Sequence, residues 1–216
     1  KRMTDAYRNR LEGGILTLGL TLPADAVTRL LEFHALLVKW NKAYNLTSVR
    51  KADEMIDRHL LDSLSMLPFI GSGALLDVGT GAGLPGMVLA LVRPDLPVWL
   101  LDSNGKKTRF LSQVKMMLGV DNVTVVQHRL ESWQPEREFA QITSRAFATL
   151  SDMVSFSRHL LADDGRFLAM KGLSPDAELA ELPPEIKLLA ISPLTVPGTD
   201  GQRHLVELGL QTPLKD

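Results

Sequence analysis

The chain has 216 residues with 24 Lys and Arg against 25 Asp and Glu, a net charge of -1 at pH 7, so it suits one domain with a small appendage and not two full domains. Apolar residues make up 45% and charged residues 23%, which excludes a long disordered tract and confines any nucleic-acid footprint to a local patch. The absence of cysteine excludes disulfides, thiolate metal sites and cysteine nucleophiles, and five histidines scattered without ligand spacing predict no metal site.

Lys1-Arg2 is followed by polar residues rather than an apolar signal core, and no apolar run reaches membrane-spanning length. An unexported, cytoplasmic protein without membrane contact is the expectation. From Thr21 a helix start is legible. Pro23 suits a first helical position, and Val27, Leu30, Leu31, Leu37 and Val38 recur at helical spacing towards Trp40 or Tyr44. A second helix is predicted over residues 53–67, with Ile56, Leu60, Leu64 and Leu67 on one face and Pro68 ending it. Gly71-Ser72-Gly73 then breaks the chain. Residues 1–70 are therefore read as a helical extension packed on the core formed by residues 71–216.

After the break, short apolar runs alternate with helical stretches, at residues 74–78, 98–101, 123–126, 140–143 and 166–170. Such alternation predicts a parallel sheet with crossover helices. Residues 186–191 and 204–208 are read as two more strands, joined by a Pro- and Gly-containing loop over 193–201. The predicted fold class is α/β, Rossmann-like, with a mostly parallel seven-stranded sheet.

Where the first strand should end, Asp77-Val78-Gly79-Thr80-Gly81-Ala82-Gly83-Leu84 supplies glycines that let the backbone approach a ligand. Asp102 closes the next run, at the place where a carboxylate hydrogen-bonds ribose hydroxyls in dinucleotide folds. A nucleoside site is implied. A nicotinamide cofactor is one reading, since Gly81 to Gly86 satisfies G-x-G-x-x-G. Counting from Gly79, which follows the strand, instead puts Leu84 where the third glycine belongs. S-adenosylmethionine, with no pyrophosphate to repel from Asp77, fits the register better.

Lys39, Lys42, Arg50 and Lys51 lie in an acid-free stretch with Trp40 and Tyr44 one helical turn apart. The lysines and arginine suit RNA. The two aromatics are read equally as RNA-stacking groups or as core. Arg145, after the fourth run, faces the crevice where open sheets bind ligands and suits a phosphate or a target base, with an ordinary surface arginine as the bland alternative. His59 and Asp62, three apart, are read as pairing with each other or with the glycine loop in a structural role. Lys106-Lys107-x-Arg109, at the start of the helix after Asp102, is read first as a solvated helix face, with contact to rRNA phosphates as the alternative.

Lys39-Trp40-Asn41-Lys42-Ala43-Tyr44-Asn45-Leu46-Thr47, Arg58-His59-Leu60-Leu61-Asp62-Ser63, Gly79 to Gly86, Leu101-Asp102-Ser103 and Ser144-Arg145-Ala146 together resemble the bacterial glucose-inhibited division protein B family, also called RsmG. The resemblance covers nearly the whole chain. It implies methylation by S-adenosylmethionine of N7 of a guanine, nucleotide 527 in the usual rRNA numbering, in the decoding-region loop of 16S rRNA. It further implies that Gly79, Leu84, Leu130, Glu131 and Arg145 touch the cofactor or the reacting region. The implied partner is 16S rRNA within a small-subunit ribosomal particle, with the chain acting as a monomer. Guanine N7 carries an in-plane lone pair and no proton, so in-line attack needs alignment and not a general base. A nicotinamide-dependent oxidoreductase and a non-catalytic RNA-binding module are the alternative classes.

Overall fold

A computed structural model describes residues 2–173 and 175–211. Seven strands form one sheet in the order β3-β2-β1-β4-β5-β7-β6. They are β1 (Leu75–Val78), β2 (Val98–Asp102), β3 (Val123–Gln127), β4 (Phe139–Ser144), β5 (Leu161–Lys171), β6 (Ile186–Leu194) and β7 (Arg203–Leu210). β1 to β5 run parallel to one another, and β7 is antiparallel to both β5 and β6. Each predicted run falls on a strand, the first starting one residue ahead of β1, and the mixed edge arises where the chain returns through a loop instead of a crossover helix.

Period-two alternation sorts the sheet's side chains into two cores. Leu75, Val98, Leu100, Leu168 and Leu205 enter one, while Leu76, Val78, Ile142, Phe167 and Val206 enter the other. Burial on both faces is why these strands read as continuous apolar runs. Helices α5 (Gly86–Val92) and α6 (Gly105–Leu118) contribute to the first core and α7 (Leu150–Ser157) to the second. The chain reverses its winding between β1 and β4, and that topological switch opens a crevice beyond the strands' carboxyl ends.

The helical extension is larger than its periodicity predicts. Helix α1 (Arg2–Leu18) precedes α2 (Ala26–Tyr44), and its Leu11 and Ile15 are buried in the first core. Sequence reading missed α1 because its apolar positions are sparse among charged ones. The predicted second helix is broken into α3 (Ala52–Met55), a π-helical turn (Ile56–Leu61), α4 (Asp62–Leu64) and a 3-10 turn (Leu67–Phe69). Heptad-like spacing does not distinguish a π turn from an α turn, yet the wider turn changes which side chains face inward. A short helix α8 (Asp176–Leu179) lies between β5 and β6. Among the described residues, no helix is long and apolar enough to cross a membrane.

Candidate functional site

The glycine loop after β1 is held from two sides by carboxylates. Asp77, fully buried at the end of β1, accepts from Thr80 Oγ1 at 2.7 Å and from the Gly86 amide at 2.8 Å through Oδ2. Asp102, at the end of β2, accepts from the Gly81 amide through Oδ2 and from the Asn104 amide through Oδ1, each at 2.8 Å. Gly79, Gly81 and Gly83 have φ of +63°, +59° and +92°, in the left-handed region that side chains disfavour. A Cβ on Gly79 would lie 2.8 Å from the Ala146 side chain, so the loop and the segment after β4 close on each other there.

These elements frame a pocket of about 480 Å³ lined by Gly79, Asp102, Ser103, Leu130, Glu131 and Phe147, among others. The structure brings Gly79, Asp102, Leu130 and Glu131 together in it. Asp77, Gly83 and Leu84 stand behind the wall instead. Asp77 has no exposure, Leu84 is buried, and Gly83 packs against Met87 and Leu111. Gly81 is tied to Asp102 without lining the pocket. The Asp102 carboxylate spends one lone pair of Oδ2 on the glycine loop and one of Oδ1 on the Asn104 amide, which leaves each oxygen a further lone pair. A cradle of left-handed glycines beside that carboxylate fits the nucleoside and amino-acid parts of S-adenosylmethionine.

Arg145 follows β4 and leans the other way, over the π-helical turn. Its Nη2 donates to the Arg58 carbonyl at 3.3 Å, and its Nη1 lies 3.3 Å from Asp62 Oδ2 in an ion pair without a hydrogen bond. Asp62 is in turn gripped by Arg203, Nε to Oδ1 at 2.8 Å and Nη2 to Oδ2 at 2.9 Å. Burial lowers the Arg145 pKa, with Asp62 opposing, and the guanidinium stays charged. Arg203 is a residue that sequence reading missed. It lies 141 positions from its partner, and no local pattern signals that pairing.

His59 and Asp62 therefore turn to different partners. His59 Nε2 meets Thr47 Oγ1 at 2.7 Å, and burial, followed by the nearby Arg145 charge, pushes its pKa down to about 4. Asn41 completes this brace, with Oδ1 accepting from the Thr47 amide at 2.9 Å and Nδ2 donating to the Val49 carbonyl at 3.3 Å. Much of the Trp40-to-Thr47 stretch thus positions the loop between α2 and α3. Trp40 is partly buried against Phe110, their ring centres 5.7 Å apart, whereas Tyr44 is exposed beside it. Lys39, Lys42, Arg50 and Lys51 are all exposed. Lys107 is partly shielded, and Lys106 and Arg109 are exposed at the start of α6.

Phe147 is a second residue that sequence reading passed over. It closes one side of the cofactor pocket and stacks on Phe156 with ring centres 6.0 Å apart. An aromatic three residues after a strand end was the available signal. Among the described residues, no group of three or more His, Asp or Glu side chains is placed to hold a metal ion.

Strand order, glycine loop and pocket together define the class I methyltransferase fold of S-adenosylmethionine-dependent enzymes. Solved structures agree on the fold. A glycopeptide N-methyltransferase, MtfA, complexed with S-adenosylmethionine matches with a TM-score of 0.57 at 14% identity, over 71% of this chain and 88% of its own. TrmN from Thermus thermophilus matches with a TM-score of 0.55 at 19% identity, over 80% of this chain and 52% of its own.

The chain belongs to the GidB family, described as rRNA small subunit methyltransferase G, whose model matches residues 26–206. It is 52% identical over 202 residues to the ribosomal RNA small subunit methyltransferase G of Chromobacterium violaceum, covering 93% of this chain and 97% of that protein. The protein of the same name from Marinobacter nauticus is 53% identical over 200 residues, covering 93% and 94%.

Proposed function

We propose that this protein transfers the methyl group of S-adenosylmethionine to N7 of guanine 527, in the usual rRNA numbering, within the decoding-region loop of 16S rRNA. The observation that carries the reading is the Gly79 loop, locked by Asp77 and Asp102 and opening on one side to a nucleoside-sized pocket and on the other to Arg145. S-adenosylmethionine, when bound, supplies an activated methyl on a sulfonium. Asp102 orients the ribose through its free lone pairs. Leu130 and Glu131 border the adenine end. Gly79 lets the backbone pass close to the reacting centre.

Ring nitrogen N7 has no proton to lose, so the chain needs to place the base and exclude water rather than to hold a general base. Arg145 is a fixed cation at that place and suits a phosphate oxygen or the plane of an unstacked base. The target guanine must leave its stack or already sit in a loop, because the deep groove of A-form RNA hides N7. Lys39, Lys42, Arg50 and Lys51 give such a substrate an exposed basic footing.

The test is transfer of labelled methyl to small-subunit rRNA lacking this modification, with chemical cleavage at 7-methylguanine to locate it. Label at the decoding-region guanine, abolished by Gly79→Asp, is the expected result. Binding of S-adenosylhomocysteine without transfer to any rRNA or subunit preparation would keep the fold and remove the substrate. Binding of NADH in its place would remove both.

A further inference from the structure

The lining of the cofactor pocket follows the order of the sheet. Leu130 and Glu131 come after β3, Asp102 ends β2, Gly79 comes after β1 and Phe147 comes after β4. With adenine at the Leu130 end and the ribose at Asp102, the sulfonium falls towards Gly79 and the β4 end. Phe147 stands at that end. Among the described residues that line the pocket it is the one Phe, Tyr or Trp. Its neighbour Ala146 borders the glycine loop, since a Cβ on Gly79 would lie 2.8 Å from the Ala146 side chain.

The chain on either side of Phe147 is clamped. Ser144 Oγ donates to the Val78 carbonyl at 2.8 Å and accepts from the Ala146 amide at 2.9 Å. Further on, Lys171 Nζ donates to the Ala148 carbonyl at 2.8 Å, and Glu178, 3.1 Å from Lys171, accepts from the Leu150 amide at 2.9 Å. The ring itself is partly buried and rests on Phe156, with the two ring planes 27° apart. A ring ordered in advance loses little freedom when a ligand lies against it. Phe147 also borders a recess of about 10 Å³ with Met153 and Met170, far too small for a purine. A groove of about 670 Å³ opens beside Arg145, enclosed by α1, the π-helical turn and the loop between β6 and β7, but it shares no lining residue with the cofactor pocket. A base that is to reach the methyl group therefore enters from the Phe147 side.

We propose that the acceptor guanine stacks on the Phe147 ring with its N7 edge turned into the cofactor pocket. The inference rests on guanine N7 being the methylated atom. The N7 lone pair lies in the plane of the base, so in-line attack requires that plane to contain the breaking carbon–sulfur bond. An aromatic ring against the base sets the plane and leaves every edge atom uncovered. A cation hydrogen-bonded at N7 would instead occupy the lone pair, and Arg145, tied to Arg58 and Asp62, is left to a phosphate. In the transfer the N7 lone pair forms a bond to the methyl carbon as the carbon–sulfur bond breaks. The bonding pair stays on sulfur, no proton moves, and one positive charge passes to the purine. A purine turning cationic over an aromatic face gains a cation–π attraction that the neutral base lacks, so the ring binds the transition state more tightly than the ground state.

The experiment compares Phe147→Leu and Phe147→Tyr with wild type in methyl transfer to small-subunit rRNA lacking the modification, alongside calorimetry with S-adenosylhomocysteine. Stacking of one base on an aromatic side chain is worth about tenfold or more in binding. The expected result is a loss of about tenfold or more in kcat/KM for rRNA in Phe147→Leu, activity within about threefold of wild type in Phe147→Tyr, and S-adenosylhomocysteine affinity within about twofold of wild type in both. Phe147→Leu activity equal to wild type would overturn the assignment. A fall in S-adenosylhomocysteine affinity that matches the fall in kcat/KM would also overturn it and give the ring to the cofactor. Phe147→Tyr as poor as Phe147→Leu would do the same, since the ring would then act through its packing on Phe156 and not through its face. Failure of wild type to label any rRNA at N7 would instead remove the underlying reading of the reaction.

Discussion

Two buried side chains that both feel the Arg145 charge titrate against the ordinary order, and their effects on stability have opposite signs. Asp77 is raised to about 7 by burial, against the hydrogen bonds from Thr80 and Gly86 that pull it down. The folded chain thus keeps a proton that the unfolded chain releases near 4, so stability declines as pH rises from about 4 through about 7. Asp77→Asn keeps an acceptor for Thr80 and Gly86, and its amide replaces Oδ1, which has no partner. The variant should melt several degrees above wild type at pH 8 and match it near pH 4; equal melting at pH 8 would show that the carboxylate is solvated. His59, lowered to about 4 by burial, works the other way. Its contribution is intact above about 6.5 and is lost as pH falls towards 4, because the buried ring must take up a proton when the chain opens. Replacing it with Gln, which still reaches Thr47, should flatten the acid limb of stability between those values in urea titrations. An unchanged acid limb would assign the loss to another group.

At the scale of elements, the strands were readable because each is a local apolar run bounded by turns, and the sheet that buries both faces preserves that signal. The Gly79 loop was readable for the same reason, since left-handed backbone at three positions demands glycine and leaves a local mark. The sequence alone does not say which of those glycines meet ligand. Gly83 shows the difference. A Cβ there would lie 2.7 Å from Met87 and 2.8 Å from Leu111, behind the pocket wall. Gly83→Ala should therefore act by moving α5 and α6, lowering the melting temperature together with the affinity for S-adenosylhomocysteine, the latter by about tenfold by calorimetry. Loss of affinity with unchanged melting would place Gly83 in direct contact with the cofactor. The π-helical turn left no comparable mark. Ile56, Leu60 and Leu64 satisfy an α pattern, while the wider turn places Arg58's carbonyl under Arg145 and His59 against Thr47. Asn41 and Thr47 lie in the stretch whose basic and aromatic residues suit RNA, and in the fold they join His59 in holding the loop between α2 and α3.

For the whole molecule, what remained hidden is what joins distant segments. Arg10 meets Asp57 across 47 positions, and Arg203 meets Asp62 across 141. No periodicity records such pairs, yet they determine how the first helix, the π-helical turn and the last strand enclose the groove beside Arg145. The Asp62 carboxylate is buried and carries both Arg203 and Arg145. Removing one partner of such a cluster strands charge in a poorly solvated place, which costs several kcal/mol when burial is complete and about 1–3 kcal/mol here, since Arg203 keeps partial access to water. Arg203→Ala and Asp62→Ala should each lower the unfolding free energy by that amount in urea titrations, and the double variant should cost little more than the worse single one, because the groups it deletes answer each other. Additive costs would mean that each side chain is held by its own surroundings, and that the closure between the two ends of the chain depends on apolar packing such as Leu11 and Leu205 instead.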